Sequence, residues 1–386
     1  MKLRRAFVSI AILFAGLVSS RLFAQDDTAQ FDKLLAQTKS ENADECIDAF
    51  LKLVDYPDHA DKLLIPLVEA MITETQVGEA AQFAADQMGP TLAKYCDSVL
   101  DSEDQKQVAA ASEVIHRLGN VAIGSTPKLI ALTKSQDPKR RLSGIYGLVN
   151  LKNSDPSVIE AIEPFLDDPD FRLQVLACRA IVTIGAPAAK LSGKLKTLVE
   201  KGNLSSRSHA LIALGAIGPN EDFDVAELLT KHLDAYLHAD RDRALIGLTL
   251  LGPDAAVAKE KVEALMNNEG KFVQCQAALA LWKITGDAER SVKALVAMSK
   301  TNNLDYEALM AIHQMKADAA SAVADVAEML KNEDGSIRSL SAEILENLGL
   351  VAQPWQATLE KMSLEDPDPL VRIYCARAVK KLLVTK

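Results

Sequence analysis

This chain is poor in the residues that usually carry chemistry. Aromatic residues make up 5% of its 386 positions, with two tryptophans, six histidines and five cysteines. The histidines, His59, His116, His209, His232, His238 and His313, form no His-Glu-x-x-His pattern, and none lies near a cysteine at metal-ligand spacing. Neither a metal site nor a catalytic histidine is expected, and no cofactor. A Gly-rich phosphate loop and a Gly-x-Ser-x-Gly elbow are both missing, as is any alternating strand pattern that would seat one. Cys46, Cys96, Cys178, Cys275 and Cys375 are isolated, odd in number and embedded in apolar helical patterns, so they read as small core residues rather than a disulfide framework.

Positive charge is also short. Lysine and arginine total 43 against 53 aspartates and glutamates, a net charge of −10. Phosphate backbones and anionic lipid repel such a chain, which argues against nucleic acid and membrane surfaces as partners. Only one long apolar run exists, Ala6 to Val18, behind the basic start Met1-Lys2-Leu3-Arg4-Arg5 and ahead of Ser19 to Ala24. That layout is a secretory signal peptide, expected over residues 1–24 with cleavage after Ala24. A cut after Ser20 and a retained anchor are the alternatives, the run falling short of the ~20 residues that span a bilayer comfortably. No cysteine follows it, which argues against a lipid anchor. Cleavage removes Lys2, Arg4, Arg5 and Arg21 and no acid, taking the charge to −14. The mature chain is expected to be exported, periplasmic or extracellular, without stable membrane insertion.

What the sequence has in abundance is a period. Segments shaped like Leu173 to Gly185 return at Ser206 to Gly218, Asp240 to Gly252 and Ile337 to Gly349. Aligned on the residue opening each such helix, the anchors are Glu45, Gly78, Val108, Arg140, Gln174, Arg207, Arg241, Gln274, Asp305, Arg338 and Arg372, at intervals of 30 to 34 residues. A constant interval in that range is the signature of a solenoid. Positions −1, +3, +7 and +10 from the anchor are apolar or small, one face of a 3.6-residue helix. A second apolar-periodic helix lies between, several beginning near a proline: Pro66, Pro127, Pro164 and Pro187. Asp137-Pro138, Asp168-Pro169 and Asp366-Pro367-Asp368-Pro369 mark turns in which aspartate can cap the next helix. Glycines 119, 185, 218, 252, 286 and 349 close it. With no Gly/Ser linker or low-complexity run, residues 25–386 form one array. Residues 25–90, where Glu45 and Gly78 replace the basic anchor, are candidate divergent cap repeats.

Asp366-Pro-Asp-Pro-Leu-Val-Arg372 followed by Cys375-Ala-Arg-Ala378 resembles the turn and second helix of HEAT repeats. Ala277 to Asp287 is similar to the short bacterial HEAT repeats labelled PBS-lyase-like. The resemblance spans nearly the whole mature chain. It implies an all-α fold, a right-handed superhelical α-solenoid of about eleven helix pairs. It also implies a structural ladder of turn aspartates and helix arginines, here Asp137, Arg140, Asp168, Arg207, Asp240, Arg241, Asp334, Arg338, Asp368 and Arg372. Gln174, Gln274 and Asp305 depart from that pattern, putting the ladder in doubt in their units. Nothing in the sequence carries the lyase chemistry of the label.

Positions +5 and +8 point away from the core face, toward the concave side of such a stack. Ile246, Leu279, Trp282, Met310 and His313 fall there in adjacent units and form a candidate apolar patch for a partner helix or peptide. The competing reading is that tight curvature makes them ordinary core. The function expected is an exported, non-enzymatic scaffold holding a protein or peptide on its concave face. The alternatives are a lyase-like or cofactor-handling enzyme, or an accessory subunit of a separate exported enzyme.

Overall fold

The computed structural model describes residues 24–73, 75–235, 238–268, 271–300 and 305–384. The expected signal segment lies outside these residues except for Ala24. Among the described residues there is no β-strand, and no helix is long and apolar enough to cross a membrane.

Eleven helix pairs follow one another among the described residues. The first helices are α1 (Ala24–Gln37), α3 (Ala60–Met71), α5 (Gly89–Val99), α7 (Thr126–Thr133), α9 (Pro156–Ile162), α11 (Ser192–Lys201), α13 (Val225–Lys231), α15 (Lys259–Asn268), α17 (Ala288–Ser299), α19 (Val323–Glu328) and α21 (Gln356–Glu365). Their partners are α2 (Ala43–Leu53), α4 (Gln76–Gln87), α6 (Gln105–Leu118), α8 (Pro138–Leu148), α10 (Phe171–Ile184), α12 (Leu204–Ile217), α14 (His238–Leu251), α16 (Lys271–Thr285), α18 (Asp305–Met315), α20 (Gly335–Leu348) and α22 (Pro369–Val384). Each second helix packs on its own first helix and on the second helices before and after it, which makes a continuous α-solenoid.

The anchors all fall in the first turn of a second helix. Asn42, Thr75, Asp104, Asp137, Asp170, Asn203 and Asp334 each accept a backbone N–H of that turn, satisfying donors the helix itself leaves unpaired. Asp168 lies one step earlier than a cap: its carboxylate accepts from the Asp170 N–H at 2.8 Å, and Asp170 caps α10. Asp366 and Asp368 repeat this relay before α22. Pro127 sits in the first turn of α7, whereas Pro66 lies inside α3 rather than at its start.

The core face matches the periodicity. In α12, Ser206, Ala210, Leu214 and Ile217 are no more than 3% exposed. A fully buried leucine such as Leu214 stabilises the fold by about 2–3 kcal/mol, and it does so only because a neighbouring pair covers it. The six closing glycines all have φ between +55° and +95°. In the ninth pair Lys316 takes that place at φ +51°. Behind it, as behind Gly119, Gly185, Gly252 and Gly349, a short 3₁₀ turn buries an alanine three residues on: Ala122, Ala188, Ala255, Ala319 and Ala352.

The array curls until its ends meet. Ile47 and Leu51 of α2, Gln76, Glu79, Ala80 and Phe83 of α4, and Pro369, Leu370, Ile373, Tyr374 and Arg377 of α22 line one narrow cleft of about 60 Å³.

Candidate functional site

The turns between the two helices of a pair are held by a device the sequence only half reveals. Arg141, Arg241, Arg338 and Arg372 each donate to the main-chain carbonyl six residues back, on Ser135, Ala235, Asn332 and Asp366, at 3.2, 3.1, 2.9 and 2.7 Å. Gln174 does the same to Asp168 at 2.8 Å and also accepts from Ser206 of the next pair. The glutamine is therefore a working member of the series. In the fourth pair the residue in this register is Arg141. Arg140 reaches back to the Ser102 carbonyl of the preceding pair at 3.0 and 3.1 Å.

Of the expected Asp/Arg ladder, the structure joins Arg207 to Asp240 at 2.8 Å, with Asp240 also accepting from Ser208 at 3.1 Å. Arg338 pairs with Asp366, at 3.0 and 2.8 Å, rather than with Asp368. Asp137, Asp334 and Asp368 spend their carboxylates on backbone N–H groups of their own turns.

The candidate patch is not laid out as an open surface. Leu279 is 1% and Trp282 7% exposed, and the Lys283 ammonium lies over the Trp282 ring at 3.8 Å from its centroid. Ile246, Met310 and His313 are half-buried, and His313 Nε2 is 3.0 Å from the Asn347 amide nitrogen. The physical reason is small residues: Ala277, Ala278, Ala308 and Ala311 are at most 2% exposed between α16 and its neighbours. They bring the backbones close enough for +5 and +8 side chains to be covered.

The open apolar surface on the row of second helices lies elsewhere. A groove of about 550 Å³ runs across α6, α8, α10 and α12, with no contribution from the first helices. Its walls include Leu142, Phe171, Val175 and Leu176, and Leu142 and Phe171 are 38% and 45% exposed. Glu113 is the one carboxylate lining it, and it accepts from the Tyr146 hydroxyl at 3.0 Å. The lining residue Arg172 is committed to Asp170 at 2.6 Å.

Beside this groove sits a buried polar cluster. His116 Nδ1 faces the Tyr146 carbonyl at 3.2 Å, so that nitrogen carries the proton. Nε2 then accepts from Asn150 at 3.2 Å and from Arg179, two pairs further on, at 3.3 Å. Burial, with the Arg179 charge, lowers the His116 pKa to about 4. Across the groove, His209 Nδ1 donates to the Ser205 carbonyl at 2.8 Å. Burial lowers its pKa too, and the charges of Arg243 and Arg179 act in the same sense.

The five cysteines are buried free thiols. Burial pushes Cys96, Cys178 and Cys375 up to about 12 and Cys275 to about 11, which suppresses the nucleophilic thiolate. Among the described residues no group of three or more His, Cys, Asp or Glu could hold a metal ion.

Fold and groove define an α-solenoid of stacked helix pairs with an apolar trough on its second-helix row. No protein-family model matches the chain, and no curated protein does. Among solved structures it is similar to a mutant of Kap121p at 13% identity, covering 95% of this chain and 42% of that one with a TM-score of 0.37. Importin beta in an ammonium sulfate condition is 12% identical, with 99% and 58% covered and a TM-score of 0.41. A Kap95p structure described as inducing the switch loops of RanGDP is 11% identical, with 98% and 60% covered and a TM-score of 0.44. The chain spans 42% to 60% of the length of these three.

Proposed function

We propose that this chain is an exported, non-enzymatic scaffold of the short HEAT-like type that binds a protein or extended peptide along its row of second helices. The observation that carries this is the groove of about 550 Å³ across α6 to α12, where the exposed side chains of Leu142 and Phe171 and the neighbouring Val175 and Leu176 give one continuous apolar lining. Side chains held open on a rigid surface mark a place where a partner supplies the missing cover. Export rests on the basic, apolar and small-residue order of residues 1–24.

Leu142→Asp and Phe171→Asp, each checked for an unchanged circular dichroism spectrum, are expected to lose the partner that co-purifies with the wild-type chain. Equal recovery by wild type and both variants would refute the groove as the binding surface. Mass spectrometry of the mature amino terminus tests export: a start at Met1 in the exported fraction, or absence from that fraction, overturns it.

A further inference from the structure

Two guanidinium groups near the groove have no carboxylate partner among the described residues. Arg179 donates only to the neutral His116 ring, and Arg243 on α14 makes no hydrogen bond or ion pair with a described residue. Both are half-buried. They stand in a chain of net charge −10 that pairs many of its other cations, Arg117, Lys128, Arg207, Arg290, Arg338 and Arg377 among them. Position by position, Arg243 follows His209 by one repeat, and His209 lines the groove. Arg179 is tied to His116, whose ring lies 4.4 Å from that of the groove residue Tyr146. One charge thus stands on the Tyr146 side of the apolar trough and the other one repeat beyond its His209 side, and the one lining carboxylate, Glu113, is already engaged by Tyr146.

We propose that the groove takes an apolar peptide segment bearing a carboxylate, with Leu142, Phe171 and Val175 covering its side chains and Arg179 and Arg243 receiving the acid. Half-buried guanidinium groups without a counter-ion keep donors free, and a carboxylate is the group their fork geometry fits. An acidic chain repels a free anionic peptide at long range, so the apolar contacts and the local charge must act together. This inference rests on the groove being a peptide site and adds which peptide it selects.

The test uses short fluorescein-labelled peptides of leucine and alanine carrying either two aspartates or two lysines, titrated against the full chain by fluorescence anisotropy. The aspartate peptide is expected to bind at least tenfold more tightly than the lysine peptide. The double variant R179Q/R243Q is expected to lose about tenfold per guanidinium for the aspartate peptide and little for the lysine peptide. R179K keeps the charge and is expected to bind within about threefold of wild type, which separates loss of charge from loss of the His116 contact. Equal binding of both peptides, or an unaffected double variant, overturns the carboxylate assignment and leaves the groove as a peptide site. If neither peptide binds the wild-type chain while Leu142→Asp still loses its co-purifying partner, the carboxylate assignment alone falls. If that loss is also absent, the groove reading falls with it.

Discussion

Arg179 in α10 donates to His116 Nε2 in α6 at 3.3 Å, across an intervening helix pair. The imidazole can accept only while it is unprotonated, so this contact between the third and fifth pairs depends on pH. The folded-state pKa of about 4 lies below the usual 6.5. Between those values the unfolded chain binds more protons than the folded one, so the stabilisation is complete above about pH 6.5 and is lost as pH falls toward 4. The loss is on the order of 3 kcal/mol, and His209 and His232, also lowered by burial, act in the same direction. Thermal unfolding of wild type should therefore fall between pH 7 and 5, and His116→Gln should show a shallower fall from a lower starting point. Parallel profiles would remove His116 as the cause.

Asp240 is 4% exposed and holds both Arg207 and Ser208. Asp240→Ala leaves the half-buried guanidinium and a buried hydroxyl without their acceptor, at a cost of about 3 kcal/mol. Glu69→Ala breaks the exposed pair with Lys106, whose side chains are 55% and 70% exposed, and should cost less than about 0.5 kcal/mol. Urea midpoints of the two variants give the ratio. Equal shifts would mean that burial does not set the worth of these bridges.

Gly215 and Gly247 mark a close backbone approach between the successive second helices α12 and α14. A Cβ on Gly215 would stand 2.1 Å from the Gly247 carbonyl oxygen, and one on Gly247 would stand 2.6 Å from the Leu211 oxygen. Backbone cannot yield as a flexible side chain can, so Gly215→Ala is expected to cost about 2–4 kcal/mol despite its gain in helix propensity. An unchanged denaturation midpoint would show that α12 and α14 can separate freely.

Lys316 occupies the left-handed position that glycine fills in six other pairs. Lys316→Gly relieves backbone strain, partly offset by the added freedom of the unfolded chain, for a net gain of about 0.5–1 kcal/mol. Gly185→Ala, at φ +72° with the nearest obstacle 3.5 Å away, should lose about 1 kcal/mol through backbone strain alone. A pair of melting curves checks the two opposite signs.

The pairing of helices was legible because each pair repeats its own local physics: a capping side chain, an apolar stripe and a closing residue with positive φ. None of these needs long-range information. The turn device was partly legible. Arg372 follows an Asp-Pro signal and Arg338 follows Asp334 without a proline, but which residue serves the turn depends on shifts of one or two positions: Asp168 relays to the cap Asp170, and Arg141, one residue past the anchor Arg140, makes the carbonyl contact. With Arg141 as anchor, Tyr146 rather than Ile145 occupies +5, and Ile145 is fully buried. The helical wheel gave the direction of Leu279 and Trp282 but not the closeness of the neighbouring helices that covers them. The groove at α6 to α12 depends on the same curvature, and its only sequence trace is the apolar residues opening α10 and α12, Phe171 and Leu204, 45% and 43% exposed.

The meeting of the array's ends should be separable from its stacking. Every pair buries its core against adjacent pairs, so secondary structure does not require α22 to touch α4. The cleft between them is apolar at Phe83, Leu370 and Ile373. Glu79 opposes it: burial first, and then the Asp368 charge, raise its carboxyl pKa. A raised carboxyl pKa means that protonation favours the closed form, so the closure should loosen as pH rises through that value. Asp368, Tyr374 and Arg377 also stand at this contact, with Glu343 and Glu346 acting on Tyr374 and Glu346 paired with Arg377. Phe83→Asp should therefore enlarge the radius of gyration in small-angle X-ray scattering while leaving the helical circular dichroism intact, at a stability cost under about 2 kcal/mol. Glu79→Gln should be slightly more compact than wild type at pH 7, with the difference vanishing near pH 4. If Phe83→Asp keeps the wild-type dimensions, the ends are not held by this contact; if it loses its helical signal, closure and stacking are one cooperative unit.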